Sequence, residues 1–277
     1  MSSAVYVNDL LPPERTSRLE KLIEREQLLL KSLVVLVILM NFPFGRFVLY
    51  PFMLFSTWVH ELCHGLAAIL VGGSVTKIYV YKDGSGLAYT RMSTGNLYTM
   101  KRAFVAGAGY SGTALVGGVL LLFRRTRRGP RRGVAGFGLA MLITCALWVR
   151  NPFAIVVLSV FGFVLGLCSW FLPANRVGEL YSFLAATCCL NAVDSIWGLF
   201  HDADFVNGED VSTDAETVSD VLFWPYWFWA GLWFVFAVAM LFVGLLFAPD
   251  PSEGPESASY QQRLSSARDP SVSVQVY

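Results

Sequence analysis

Charge is scarce in this chain. Of its 277 residues only 15% are Asp, Glu, Lys or Arg, 55% are hydrophobic, and the net charge is +1. So little charge excludes a broad basic surface for nucleic acid or another polyanion. Cysteine is sparse too, and the five present (Cys63, Cys145, Cys168, Cys188 and Cys189) fall inside apolar runs without a C-x-x-C pair. They read as small buried hydrophobes, which excludes a disulfide framework. No secretory leader is visible: residues 1–27 mix acids and bases with no short apolar core or small-residue cleavage site, so targeting is expected to rest on the first span. No internal repeat stands out, which counts against a secondary transporter built from repeated halves.

Long apolar runs, in contrast, are abundant. Several approach or exceed the roughly 18 to 20 residues that cross a bilayer. The pattern predicts an all-α polytopic integral membrane protein of about six to seven transmembrane helices, with a small β-hairpin after the second. The predicted spans are Leu28 to Phe42, Phe47 to Gly72, Ala103 to Phe123, Val134 to Val149, Phe153 to Leu172, Leu180 to Phe200 and Val221 to Ala248. Residues 1–27 read as an amphipathic or solvated lead-in, 28–248 as the membrane domain, and 249–277, rich in Ser, Pro, Glu and Gln, as a disordered tail.

Between the second and third spans, residues 74 to 92 change character. β-branched and aromatic residues flank Asp83-Gly84-Ser85-Gly86, the composition of a β-hairpin. In the third span, Gly107-Ala108-Gly109-Tyr110-Ser111-Gly112 matches G-x-G-x-x-G literally. Its place within an apolar run excludes a dinucleotide site. The small residues are expected to let helices approach closely. The run Arg124-Arg125-Thr126-Arg127-Arg128-Gly129-Pro130-Arg131-Arg132 reads as a cytoplasmic topology signal compatible with anionic lipid, which puts the hairpin and the acidic loop His201 to Asp220 on the other side.

Two of the three histidines lie in His60-Glu61-Leu62-Cys63-His64, inside the second span. On a helix, residues i and i+4 share a face, so both imidazoles can reach one metal ion with Glu61 beside it to handle a proton. Ionisable groups in hydrocarbon are costly and point to function. A catalytic zinc takes three protein ligands and an open position. Asp194, an acid inside the sixth span and at similar depth to His64 on a parallel helix, is the candidate third ligand. His201, two turns further on, is its rival.

These features together resemble the site-2 protease family of intramembrane zinc metalloproteases, and more closely its shorter site-2-protease-like (peptidase 50B-like) branch. The similar pieces are His60 to His64, Ala106 to Gly112, Arg150-Asn151-Pro152-Phe153, Asn191 to Asp194, and Ser212-Thr213-Asp214-Ala215. The resemblance implies Zn2+ held by His60, His64 and Asp194, Glu61 as the catalytic base, and membrane protein substrates cut by metal-assisted amide hydrolysis. By analogy, the hairpin would hold an extended substrate segment by strand addition. Two other classes fit the same residues: an inactive metalloprotease-like membrane scaffold or chaperone, and a metal or solute transporter.

Overall fold

A computed structural model describes residues 27–95, 97–126, 128–198, 205–206, 209–210 and 213–247. Most of the lead-in, His201 and the tail 249–277 lie outside the described residues. Eight helices appear among those described: α1 (Gln27–Asn41), α2 (Gly45–Leu70), α3 (Tyr98–Phe123), α4 (Gly129–Leu147), α5 (Pro152–Phe171), α6 (Ala174–Gly198), α7 (Asp214–Leu222) and α8 (Tyr226–Phe247). A hairpin of β1 (Ser74–Val80) and β2 (Gly86–Arg91) separates α2 from α3. The two-residue strands β3 (Phe205–Val206) and β4 (Glu209–Asp210) pair between α6 and α7.

Among the described residues, four helices are long and apolar enough to cross a membrane: Phe47–Leu70, Tyr98–Phe123, Pro152–Phe171 and Tyr226–Phe247. Helix α1 is apolar but short, at 15 residues. Helix α4 opens Gly129-Pro130-Arg131-Arg132, and α6 carries Arg176, Glu179, Asn191 and Asp194, which dilute their apolar content. The expected seventh span, Val221 to Ala248, is met by α8, Tyr226–Phe247, while its first two residues close the separate helix α7. Phe223 takes a left-handed conformation (φ 75°) at the C-terminus of α7, and Pro225 cannot continue a helix through that corner.

Helix α3 is the central element, packed against α2, α6, α7 and α8. Its small residues do what their spacing predicts. A Cβ at Gly112 would lie 2.7 Å from the Cys63 sulfur of α2, and one at Gly117 would lie 2.6 Å from the Cys189 sulfur of α6. Beside them, Phe55 and Trp58 of α2 are fully buried, and the Trp58 indole N–H donates to Thr144 Oγ1 of α4 at 2.9 Å. Two arginines of the basic run also have structural work. Arg124 donates to the Gly244 carbonyl near the end of α8 at 2.6 Å, and Arg131 donates to the Leu172 carbonyl just past α5 at 2.9 Å. Each satisfies carbonyls that a helix end leaves open.

The hairpin folds back along α2 instead of standing away from it. Val75 packs on Gly65, Gly86 on Glu61 and Thr57, and Gly84 on Met53. At the tip, Thr57 Oγ1 donates to the Gly84 carbonyl and the Tyr50 hydroxyl to that of Lys82, both at 2.7 Å. Gly84 has φ +94°, a conformation that suits glycine at the turn. Ten extended residues from Ser74 reach about 33 Å, close to the ~30 Å rise of α2 between Tyr50 and Leu70. Non-helical backbone at membrane depth must be buried in protein or line water, and β1 meets that demand on its outer edge. Ile78 N–H donates to Trp148 O at 2.8 Å and Arg150 N–H to Ile78 O at 3.2 Å. The Asn151 amide then bonds both main-chain groups of Val80, donating to its carbonyl at 2.6 Å and accepting from its N–H at 3.4 Å.

Candidate metal centre

The helical spacing of His60 and His64 puts both imidazoles on the side of α2 that faces α3, their ring centroids 4.7 Å apart. What makes room for them is Gly109. A Cβ there would sit 2.3 Å from His60 Nε2 and 2.4 Å from His64 Nε2, inside the space that a shared ion needs. The third group is Asp214, the first residue of α7. Its Oδ2 lies 3.1 Å from each Nε2 atom. These three ligand atoms all lie within 4.8 Å of one another, so they could hold one metal ion.

The donor set fits a metal on several counts. At ordinary Zn–N and Zn–O lengths of ~2.0–2.1 Å, neighbouring tetrahedral ligand atoms stand about 3.3 Å apart, near the 3.1 Å between each imidazole and Asp214. His64 Nδ1 lies 2.7 Å from the Val105 carbonyl of α3, a contact in which Nδ1–H donates, so Nε2, which faces Asp214, is the nitrogen that would turn its lone pair to a bound ion. The His60 ring meets Tyr110 edge-on at 4.7 Å, and Tyr110 is stacked on Trp233 of α8 at 5.3 Å. Both imidazoles are therefore held by α3 before any ligand arrives.

Asp214 is placed by the start of its own helix. Thr213 caps α7, accepting from the Glu216 N–H at 3.0 Å, while the Glu216 carboxylate accepts from the Thr213 N–H at 2.9 Å. Burial alone would raise the Asp214 carboxyl, but the facing imidazoles of His64 and His60 outweigh it and hold it below the usual carboxylate range. The helix N-terminus favours the same anionic form.

Glu61, next along α2, is 5% exposed and turned to the hairpin. A Cβ at Gly86 would lie 2.6 Å from its Oε1, so only glycine admits the carboxylate at that point of β2. The bonds of Ile78 and Val80 to residues 148–151 point their main-chain groups away from β2. Their cross-strand partners Ala88 and Gly86 must then point theirs out of β2's other edge, toward Glu61.

The chain matches the Peptidase M50B-like family over residues 29–244. It belongs to that family, a branch of the site-2 protease family. It is thus a member of a membrane metalloprotease family, with a His-His-Asp group able to hold a metal. No curated protein and no solved structure gives a significant match.

The structure thus brings His60, His64 and Glu61 into one site. Asp194 lies on α6 with its side chain outside the described residues, as does the whole of His201. The carboxylate found against both imidazoles is Asp214. Its signal was in the sequence: Thr213-Asp214-Ala215-Glu216 has the T-x-x-E spacing of a capping box, which starts a helix and puts Asp214 in its first turn.

Proposed function

We propose that this protein is a zinc-dependent membrane endopeptidase that hydrolyses peptide bonds of membrane protein substrates. The observation that carries the reading is the convergence of His60 Nε2, His64 Nε2 and Asp214 Oδ2 over Gly109, one residue from a buried carboxylate. Two imidazoles and one carboxylate are a donor set that suits zinc and leaves a fourth position open. When bound, the ion would polarise the scissile carbonyl and make its water more acidic.

The rest falls to the chain's own residues. Glu61 takes a proton from the attacking water and delivers it to the departing amine nitrogen as the C–N bond breaks. With β1's other edge already covered, an extended substrate segment would be received at β2, where it displaces Glu61 from the main-chain groups of Gly86 and Ala88. A substrate helix has to unwind locally to lie there, since its own hydrogen bonds shield its amides. In this reading α1, α4 and α6 complete a multi-pass bundle with the four longer spans, and the Arg-rich turn between α3 and α4 faces the cytoplasm.

Purified protein is expected to hold about one equivalent of zinc and to cut a single-span reporter. Glu61→Gln should keep the metal and lose cleavage. Metal-free wild type with undiminished cleavage by His60→Ala would overturn the reading.

A further inference from the structure

The two faces of the hairpin differ in kind. Ile78 and Val80 of β1 point inward and are 0% and 1% exposed. The alternate residues Lys77 and Tyr79, with their cross-strand partners Tyr89 and Leu87, form the other face. Two residues beyond Tyr89 on the same face of β2 is Arg91, which is exposed. This outer face thus carries two cations and no carboxylate. Lys77 makes no ion pair among the described residues; its ammonium lies over the rings of Tyr89, at 4.4 Å, and Tyr79, at 5.0 Å.

Position sharpens the point. Val75 packs on Gly65 and Gly86 on Glu61, so Lys77 lies between those levels of α2, about 7–14 Å below Leu70. A lysine at such depth would ordinarily stretch its stem toward the headgroups. Here the ammonium leans across to Tyr89, on the strand whose outer edge runs past Glu61. We propose that the Lys77–Tyr89–Arg91 face is a side-chain subsite for an acidic residue, Asp or Glu, of the segment laid along β2. The inference rests on the endopeptidase reading above. It adds which substrates are chosen: on that face, the strand next to β2 presents every second side chain beside Tyr89 and within reach of the two cations. A lipid phosphate is the less favoured occupant, because the ammonium lies over the Tyr89 and Tyr79 rings of the sheet itself.

The test measures binding, so that it stands apart from cleavage. Glu61→Gln protein in nanodiscs is titrated with three synthetic single-span peptides, identical except for Asp, Ser or Lys within a glycine-weakened stretch. The Asp peptide is expected to bind about fivefold more tightly than the Lys peptide, the range of a partly exposed ion pair. Adding Lys77→Gln should lower the ratio, Lys77→Gln with Arg91→Gln should bring it near one, and Lys77→Glu should invert it. Equal binding of the Asp and Lys peptides, or a preference that survives Lys77→Glu, would overturn the proposal. So would a Lys77 effect that follows only the anionic-lipid content of the nanodisc. If wild type cuts none of the three peptides, the endopeptidase reading fails on its own, whatever the binding ratio.

Discussion

Helices α2 and α7 bring candidate metal ligands to one point by different means. In α2 the helical repeat itself stacks His60 over His64, and 26 residues of helix, sunk against α3, hold them there. Helix α7 has nine residues and supplies one ligand from its first position, held by the Thr213–Glu216 box and by its packing on α3 and α8. The first arrangement is built into local geometry. The second depends on where the chain returns after α6. A site made this way has a rigid half and a half that can be displaced by disturbing a cap, so perturbations on the two sides should differ in size.

The largest effect is expected on the rigid side. Gly109→Ala should abolish metal binding, because its Cβ would take the space between the two Nε2 atoms. Alanine is favoured over glycine in a helix by ~1 kcal/mol, so a loss of metal without loss of helix content by circular dichroism isolates the steric cause. Gly136→Ala on α4, where a Cβ meets nothing within 4 Å, is the matched control and should leave metal content unchanged. Next in size, Asn151→Ala removes both bonds to Val80 at a cost of roughly 1–3 kcal/mol. It should lower kcat on a reporter with metal content intact, since β1 loses an anchor behind the strand that faces Glu61. The smallest effect belongs to the cap. Thr213→Ala should cost about 1 kcal/mol and weaken metal affinity several-fold through Asp214, and Thr213→Ser should restore it. If the Thr213 change proved as damaging as Gly109→Ala, the contrast between the two halves would fail.

The same contrast explains what the sequence could disclose. Both histidines and the hairpin follow from patterns a few residues long: a spacing of four, and Asp83-Gly84-Ser85-Gly86 between β-forming runs. Asp214 does not, because its place against the two imidazoles is tertiary. It follows a polar stretch of sequence, and hydropathy gives such a position no weight, whereas Asp194 stands out as an acid inside an apolar run. Gly109 was legible as a packing residue, but its partner proved to be the imidazole pair, which only the approach of α3 to α2 reveals. The corner at Phe223 was hidden for a related reason. The Trp- and Phe-rich stretch around it is apolar on both sides of Pro225, so hydropathy runs straight through a break that backbone geometry imposes.

The most direct test of the account is zinc content of purified Asp214→Ala set beside Asp194→Ala. With α7 supplying the third ligand, Asp214→Ala should fall from about one equivalent to near zero while Asp194→Ala stays close to wild type. Full zinc in Asp214→Ala, with loss in Asp194→Ala, would contradict it.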